Sequence, residues 1–394
     1  MSFTFSKKNI FIGLIFLVIS YAMYYYINQE FQTFDPVFNY ISNNKLTFIS
    51  VIISFSIIII ILYFTLTSNN NSSNNSNNNH NINKNKTNNH NKKKIIQSKF
   101  GETEIKYKKL IEKNPNDCNA YFNLGHLLQI QGKNKDSETN YNKVIENNPE
   151  KSLACVAYNN LGVIFENKEN KEEAELYFKK AIDLNENYSI SYYNLANILL
   201  KQGKLNEAET NYRKAIEFNP NYSYAYYNLG NLLKIQEKVM EAETNYLKAI
   251  ETDDSFSAAY FNLGQLLHIQ GRAEEAATNY RKAIEINPKF SSTYNNLGML
   301  LDSKGEIEDA EEMYRKAIKI NPKISKAYYN LGNLLKNKGF VEDEVEAERM
   351  YRKAIELNPK FSDAYHNLGK LLKVKGLDEE ADRYFKIAKE NYVQ

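Results

Sequence analysis

The chain has 394 residues, with 50 Lys and Arg against 47 Asp and Glu, and its net charge of +3 hides an asymmetry. Residues 1–100 hold nine Lys and two acids, whereas residues 101–394 hold 41 basic and 45 acidic groups. The mild acidity of the larger part argues against nucleic acid as a partner, because such binding needs a basic surface.

Ile10 to Ile27 is an uncharged, mostly apolar run of 18 residues, and Leu46 to Leu66 is another of 21. At 1.5 Å per residue each spans roughly the ~30 Å of a bilayer core. Tyr24, Tyr25, Tyr26 and Tyr63 lie near their ends, where aromatic belts sit. Residues 1–67 are therefore expected to be a membrane anchor with transmembrane helices at 10–27 and 46–66. Lys7 and Lys8 precede the first span, and five Lys between positions 84 and 94 follow the second. Only Lys45 lies between the spans, so both ends of the hairpin should face the cytosol. A signal peptide is the rival reading of the first span, and the weak Ser20-Tyr21-Ala22 site is its only support. Either reading leaves the remainder of the chain on the cytosolic side of an endomembrane or organelle outer membrane.

Residues 68–94 are Asn-rich and poor in apolar side chains, so a disordered linker is expected there. From 95 onward the chain repeats itself. Aligned on Asn-Leu-Gly, the copies begin at Asn123, Asn160, Asn194, Asn228, Asn262, Asn296, Asn330 and Asn367, the third reading Asn-Leu-Ala. Five of the seven steps are 34 residues and the outer two are 37, the period of a helical solenoid. Within Ser257–Phe290, Tyr260, Leu263, Gly264 and Leu267 share one helical face, and Gly271 closes that helix. Ala276, Tyr280, Ala283 and Ile284 form the stripe of a second helix that Pro288 stops. Such a pair cannot bury its own faces, so stacking on neighbours must complete the core. The fold class is all-α: eight helix-turn-helix repeats behind a leading half-repeat, spanning 95–394.

This pattern resembles the tetratricopeptide repeat, whose usual positions are matched by Tyr260, Leu263, Gly264, Leu267, Ala276, Tyr280, Ala283 and Pro288. The family often has Trp at the first position; this chain has Tyr in every copy and no Trp. The resemblance implies a helical solenoid with a concave groove that binds polypeptide. Within the family the copies look most like the array of the O-linked N-acetylglucosamine transferases, which has a similar run of groove asparagines. A glycosyltransferase domain is not expected after the repeats, so the binding mode is expected to carry over and the activity is not.

The eight ladder asparagines are the candidate peptide-binding residues. An Asn amide both donates and accepts, so each is expected to grip the backbone of an extended segment. Phe122, Tyr193, Tyr227, Phe261 and Tyr329 are expected to flank the ladder in the groove, with Asn159, Asn295 and His366 at the other copies. No P-loop, GxSxG or HExxH motif is present and no metal-ligand spacing occurs. No enzyme activity, cofactor, metal site or small-molecule substrate is expected. The expected partners are other proteins; a substrate-recruiting partner of a separate O-glycosyltransferase and an organelle import receptor are the alternatives. Cys118 and Cys155 lie one repeat apart, too far for a disulfide, and are expected to be buried reduced thiols. In the last copy Lys389 and Asn391 replace apolar stripe residues, which suits a polar end to the stack. The acids at 342–348 are expected to be a solvated helix start.

Overall fold

The computed structural model describes residues 98–392. The expected membrane anchor and linker lie outside the described residues. The described part is helical, with no strand among its residues. Residues 98–113 form α1. Eight antiparallel pairs follow. Repeat one is α2 (Cys118–Ile130) and α3 (Asn134–Glu146), and repeat two is α4 (Lys151–Asn167) and α5 (Lys171–Leu184). Repeat three is α6 (Ser189–Lys201) and α7 (Leu205–Phe218), and repeat four is α8 (Ser223–Ile235) and α9 (Val239–Thr252). Repeat five is α10 (Ser257–Ile269) and α11 (Ala273–Ile286), and repeat six is α12 (Ser291–Ser303) and α13 (Ile307–Ile320). Repeat seven is α14 (Ser325–Lys338) and α15 (Val341–Leu357), and repeat eight is α16 (Ser362–Val374) and α17 (Asp378–Tyr392). The half-repeat, the eight pairs and their order are those expected from the period.

Packing inside a pair turns on one contact. A Cβ added at Gly264 would lie 2.8 Å from two ring carbons of Tyr280, and the same holds for Gly230 against Tyr246. The missing side chain lets the tyrosine ring lie against the first helix, where it is fully buried. Gly271, at φ 77°, ends the first helix in a left-handed turn, and the Arg272 N–H closes back on the Leu267 carbonyl at 2.9 Å. Glu169 and Glu237 occupy the same turn position in repeats two and four, with φ of 60° and 61°. After the second helix the backbone turns around an Asn or Asp side chain. Asn287 Oδ1, for example, accepts from the Lys289 N–H at 3.1 Å, and Asp253 Oδ1 from the Ser255 N–H at 3.0 Å.

Between pairs the core is continuous from Ala174 to Ala381 and is built of Leu, Ala and Tyr. The stripe isoleucines Ile182, Ile216, Ile250, Ile284, Ile318 and Ile355 pack half-buried against it. First helices of repeats two and three, five and six, and six and seven approach one another directly, so the first helices line the inner face. Salt bridges tie the outer seam. Glu209 takes Arg213 at 2.8 Å and Lys238 at 2.8 Å; Glu348 takes Arg352 at 2.9 Å and Lys375 at 2.8 Å. At the junction of repeats five and six the seam differs, with Ala277 in place of Glu and Glu306 in place of the cation. The acids at 342–344 do start a helix, α15, whereas Glu346 and Glu348 are engaged by arginines. Both cysteines are free thiols; Cys155 is buried, but Cys118 is only half-buried, because it sits at the start of α2 beneath the end of α3. Lys389 is exposed, and the Asn391 amide donates to the Pro359 carbonyl at 3.2 Å.

Candidate functional site

The ladder asparagines recur once per repeat on the first helices. Their amides are not free on both sides. Asn228 Nδ2 donates to Tyr193 Oη at 3.0 Å and to Asn197 Oδ1 at 3.1 Å, both in the preceding repeat. Asn262 does the same to Tyr227 (3.1 Å) and Asn231 (2.7 Å), and Asn367 to Tyr329 (3.2 Å) and Asn333 (2.8 Å). Asn197, Asn231 and Asn333 lie one helical turn after a ladder position. Their oxygens also accept from the buried tyrosines Tyr212 (2.6 Å), Tyr246 (2.8 Å) and Tyr351 (2.8 Å). Each junction is thus a relay: core hydroxyl to amide oxygen, and the next repeat's amide to that same oxygen. Burial pushes the phenols of Tyr212, Tyr246 and Tyr351 well above their ordinary pKa, so the proton stays available for donation.

Other junctions use different partners. Asn194 donates to Asn159 Oδ1 at 3.0 Å and Asn330 to Asn295 Oδ1 at 3.0 Å. Asn159 and Asn295 are each only 4% exposed, so these two expected groove residues are buried junction residues. The reason is that each sits under the next first helix, where Asn159 also accepts from Ser191 Oγ at 3.0 Å. Asn160 donates to Tyr141 Oη at 3.1 Å, and Asn296 Oδ1 accepts from Asn295 Nδ2 at 3.2 Å. Asn123, in repeat one, is exposed.

With both hydrogens of Asn228, Asn262 and Asn367 donated, only their carbonyl oxygens remain. Among the described residues, Oδ1 of Asn194, Asn228, Asn262, Asn330 and Asn367 has no donor, and none is among the buried unpaired atoms. Five outward acceptors therefore stand on the inner face. The aromatic flanks are half-buried and serve the junctions too. Tyr193 packs on Tyr222 at 4.9 Å, Tyr227 on Phe256 at 4.8 Å, Phe261 on Phe290 at 4.7 Å and Tyr329 on Phe361 at 4.8 Å. Phe122 lies on Tyr141 at 5.6 Å, and His366 is exposed beside Phe385.

Sequence reasoning passed over the second series of asparagines, Asn197, Asn231 and Asn333, although their spacing of three from the ladder was a readable signal. It also passed over repeat six. There Met299 stands where repeats three, four and seven have Asn, and the Tyr314 hydroxyl has no hydrogen-bond partner among the described residues. A pocket of about 300 Å³ opens, lined by Met299, Asp302, Ser303, Tyr314, Asn330 and Asn333.

This geometry defines a class: a helical-repeat solenoid whose inner face presents a row of polar groups. Tetratricopeptide repeat models match residues 116–187, 177–210, 223–256, 245–277, 291–324, 313–347 and 350–384, and a TPR repeat model matches 196–236 and 264–303. The repeats belong to the tetratricopeptide repeat family, and the chain is a TPR protein. Similar solved structures include YrrB, a TPR protein with an unusual peptide-binding site, at 28% identity; the match covers 48% of this chain and 96% of that one, with a TM-score of 0.41. PilF of Pseudomonas aeruginosa is 22% identical over 53% and 94% of the two chains, with a TM-score of 0.48. MamA is 26% identical over 42% and 94%, with a TM-score of 0.38. No curated protein matches the chain.

Proposed function

We propose that the repeats are a non-catalytic scaffold binding extended polypeptide segments along the inner face, held to a membrane by residues 10–27 and 46–66. The observation that supports this most is the row of acceptors. Five ladder oxygens, in repeats three, four, five, seven and eight, have no donor among the described residues although the nitrogens beside them are engaged. Repeats stack at ~10 Å, and an extended segment in the polyproline II form rises ~3.1 Å per residue with about three residues per turn, so every third N–H faces the same side and meets an oxygen. The grip is one-sided: it takes N–H groups and leaves the segment's carbonyls to water. It reads backbone, so it tolerates many side chains.

The test uses the peptide rather than the protein, because replacing a ladder Asn would also cut a junction. End-capped uncharged peptides that bind the full chain are resynthesised with an ester in place of every third amide, which deletes the N–H and little else. Binding should weaken by about a few-fold for each ester in register. Undiminished binding of the ester peptides would remove the ladder from the mechanism.

Cytosolic placement of the repeats rests on the Lys distribution. Asn70, Asn74 and Asn85 lie in glycosylation sequons, as do Asn187 and Asn221. Deglycosylation of the cellular protein should leave its gel mobility unchanged; a shift would put the repeats on the other side.

A further inference from the structure

We propose that the pocket in repeat six is a subsite for a basic side chain, lysine or arginine, of the bound segment, with the Asp302 carboxylate as its charged partner. The proposal rests on the groove reading above and adds to it a preference that the backbone grip cannot supply.

Repeats two and six share a constellation found in no other copy. Each has Asn at the flank (Asn159, Asn295), an apolar residue one turn after the ladder (Val163, Met299), and an acid one turn further (Glu166, Asp302). In repeat two the acid is already satisfied, because Lys201 from the next repeat reaches Glu166 at 2.6 Å. The position equivalent to Lys201 is Asn337 in repeat seven. Asp302 is half-buried, near the end of α12, and has no ion pair among the described residues. Burial raises its pKa, and the helix C-terminus adds to the cost of its charge. A cation is what this site lacks, and repeat two shows the cation that the same site takes.

The rest of the pocket suits such a guest. Tyr314 is only 1% exposed, yet its hydroxyl has no partner among the described residues and is not among the buried unpaired atoms, so it opens into the pocket. Asn330 Oδ1 is free because its nitrogen is held by Asn295. Ser303 Oγ gives its proton to the Leu300 carbonyl at 2.7 Å and turns lone pairs outward. These are three neutral acceptors around one carboxylate, a match for the several N–H donors of a guanidinium or ammonium group. Met299 supplies an apolar wall for the methylene stem. An acidic side chain would meet the Asp302 charge, and an apolar one would leave that charge without water or partner.

The test measures fluorescence anisotropy of end-capped, labelled nonapeptides against the full chain. The peptides are Ser-Thr-Gln-Ser-X-Ser-Gln-Thr-Ser, with X as arginine, lysine, citrulline or glutamate. Citrulline keeps the shape of arginine and removes the charge. Arginine and lysine peptides should bind about tenfold tighter than citrulline, with glutamate weakest. Asp302→Asn should abolish that preference. Asn337→Lys, at an exposed position, should abolish it too by supplying the lysine that repeat two already has. Citrulline binding should stay unchanged in both variants, which reports intact folding. Equal binding of arginine and citrulline by the wild type would overturn the subsite and leave the groove reading standing, as would a preference that survives both substitutions. If none of the peptides binds, the groove reading falls and the subsite falls with it.

Discussion

Repeats four and six have the same backbone and nearly the same core, yet one is closed on its inner face and the other is open. In repeat four, Asn231 Oδ1 accepts from Tyr246 at 2.8 Å and from Asn262 at 2.7 Å, joining its own core to the next repeat. In repeat six, Met299 replaces that Asn, Tyr314 loses its acceptor, and Asn330 falls back on Asn295. The outer seam varies independently of the inner face. Glu209 anchors two cations where repeats three and four meet, whereas Ala277 leaves the junction of repeats five and six without that anchor. On the inner face, one residue therefore separates a junction that holds the stack from one that leaves polar groups for a ligand, while the outer seam beside the pocket keeps its anchor, Glu311 taking Arg315 at 2.7 Å and Lys338 at 2.5 Å.

The largest test converts one into the other. Asn231→Met removes the acceptor of two hydrogen bonds and leaves the buried Tyr246 hydroxyl unpaired, so stability should fall by about 2–3 kcal/mol in urea unfolding. The opposite change, Met299→Asn, should raise it by about 1 kcal/mol and close the pocket. A smaller contrast needs only one oxygen atom. Tyr246→Phe should cost about 1 kcal/mol, and Tyr314→Phe close to nothing, because only the first hydroxyl has a protein partner. Equal losses would mean that Tyr314 is bonded after all.

The turns invert the comparison. Repeat six has Gly305 at φ 79°, while repeat four forces Glu237 to φ 61°. A side chain there is strained, so Glu237→Gly should stabilise by roughly 0.5–1 kcal/mol, with Glu169→Gly giving a similar gain, read as raised thermal midpoints.

The smallest effect belongs to the outer seam and depends on pH. Burial pushes the Glu175 carboxyl up, but hydrogen bonds from Lys179, Gln202 and Lys204 outweigh it and hold the pKa at about 2. Since this lies below the ordinary 4.5, the contribution is complete above about 4.5 and fades as pH falls toward 2. Glu175→Gln should flatten the stability profile across that window, with its loss full at neutral pH and shrinking toward pH 2. An unchanged slope would show that other carboxylates carry the acid sensitivity.

Much of the solenoid was legible in the chain because a period of 34 repeats each physical requirement in register. Gly264 against Tyr280, Gly271 at the turn and Pro288 after the second helix each state a local rule, and eight copies exclude accident. The ladder was legible as a row but not as a set of bonds. Whether the Asn228 amide faces the groove or Tyr193 depends on how far one repeat is rotated on the next. That rotation is set by contacts between repeats, such as Tyr193 on Tyr222, which no single copy displays. Asp302 reads in sequence as one more acid near a helix end. Its isolation becomes visible only when Asn337 is seen where repeat two places Lys201.

The sequence by itself determined the repeat, its helices, their turns and the residues that recur on one face, because these follow from interactions within about one period. Tertiary structure alone decided which half of each ladder amide is spent on the neighbouring repeat and which half is left outward. It also decided that Glu166 in repeat two meets Lys201, while Asp302 in repeat six has no ion pair among the described residues. Both outcomes depend on distances of about 3 Å between side chains more than thirty residues apart, and only the packed stack sets those distances.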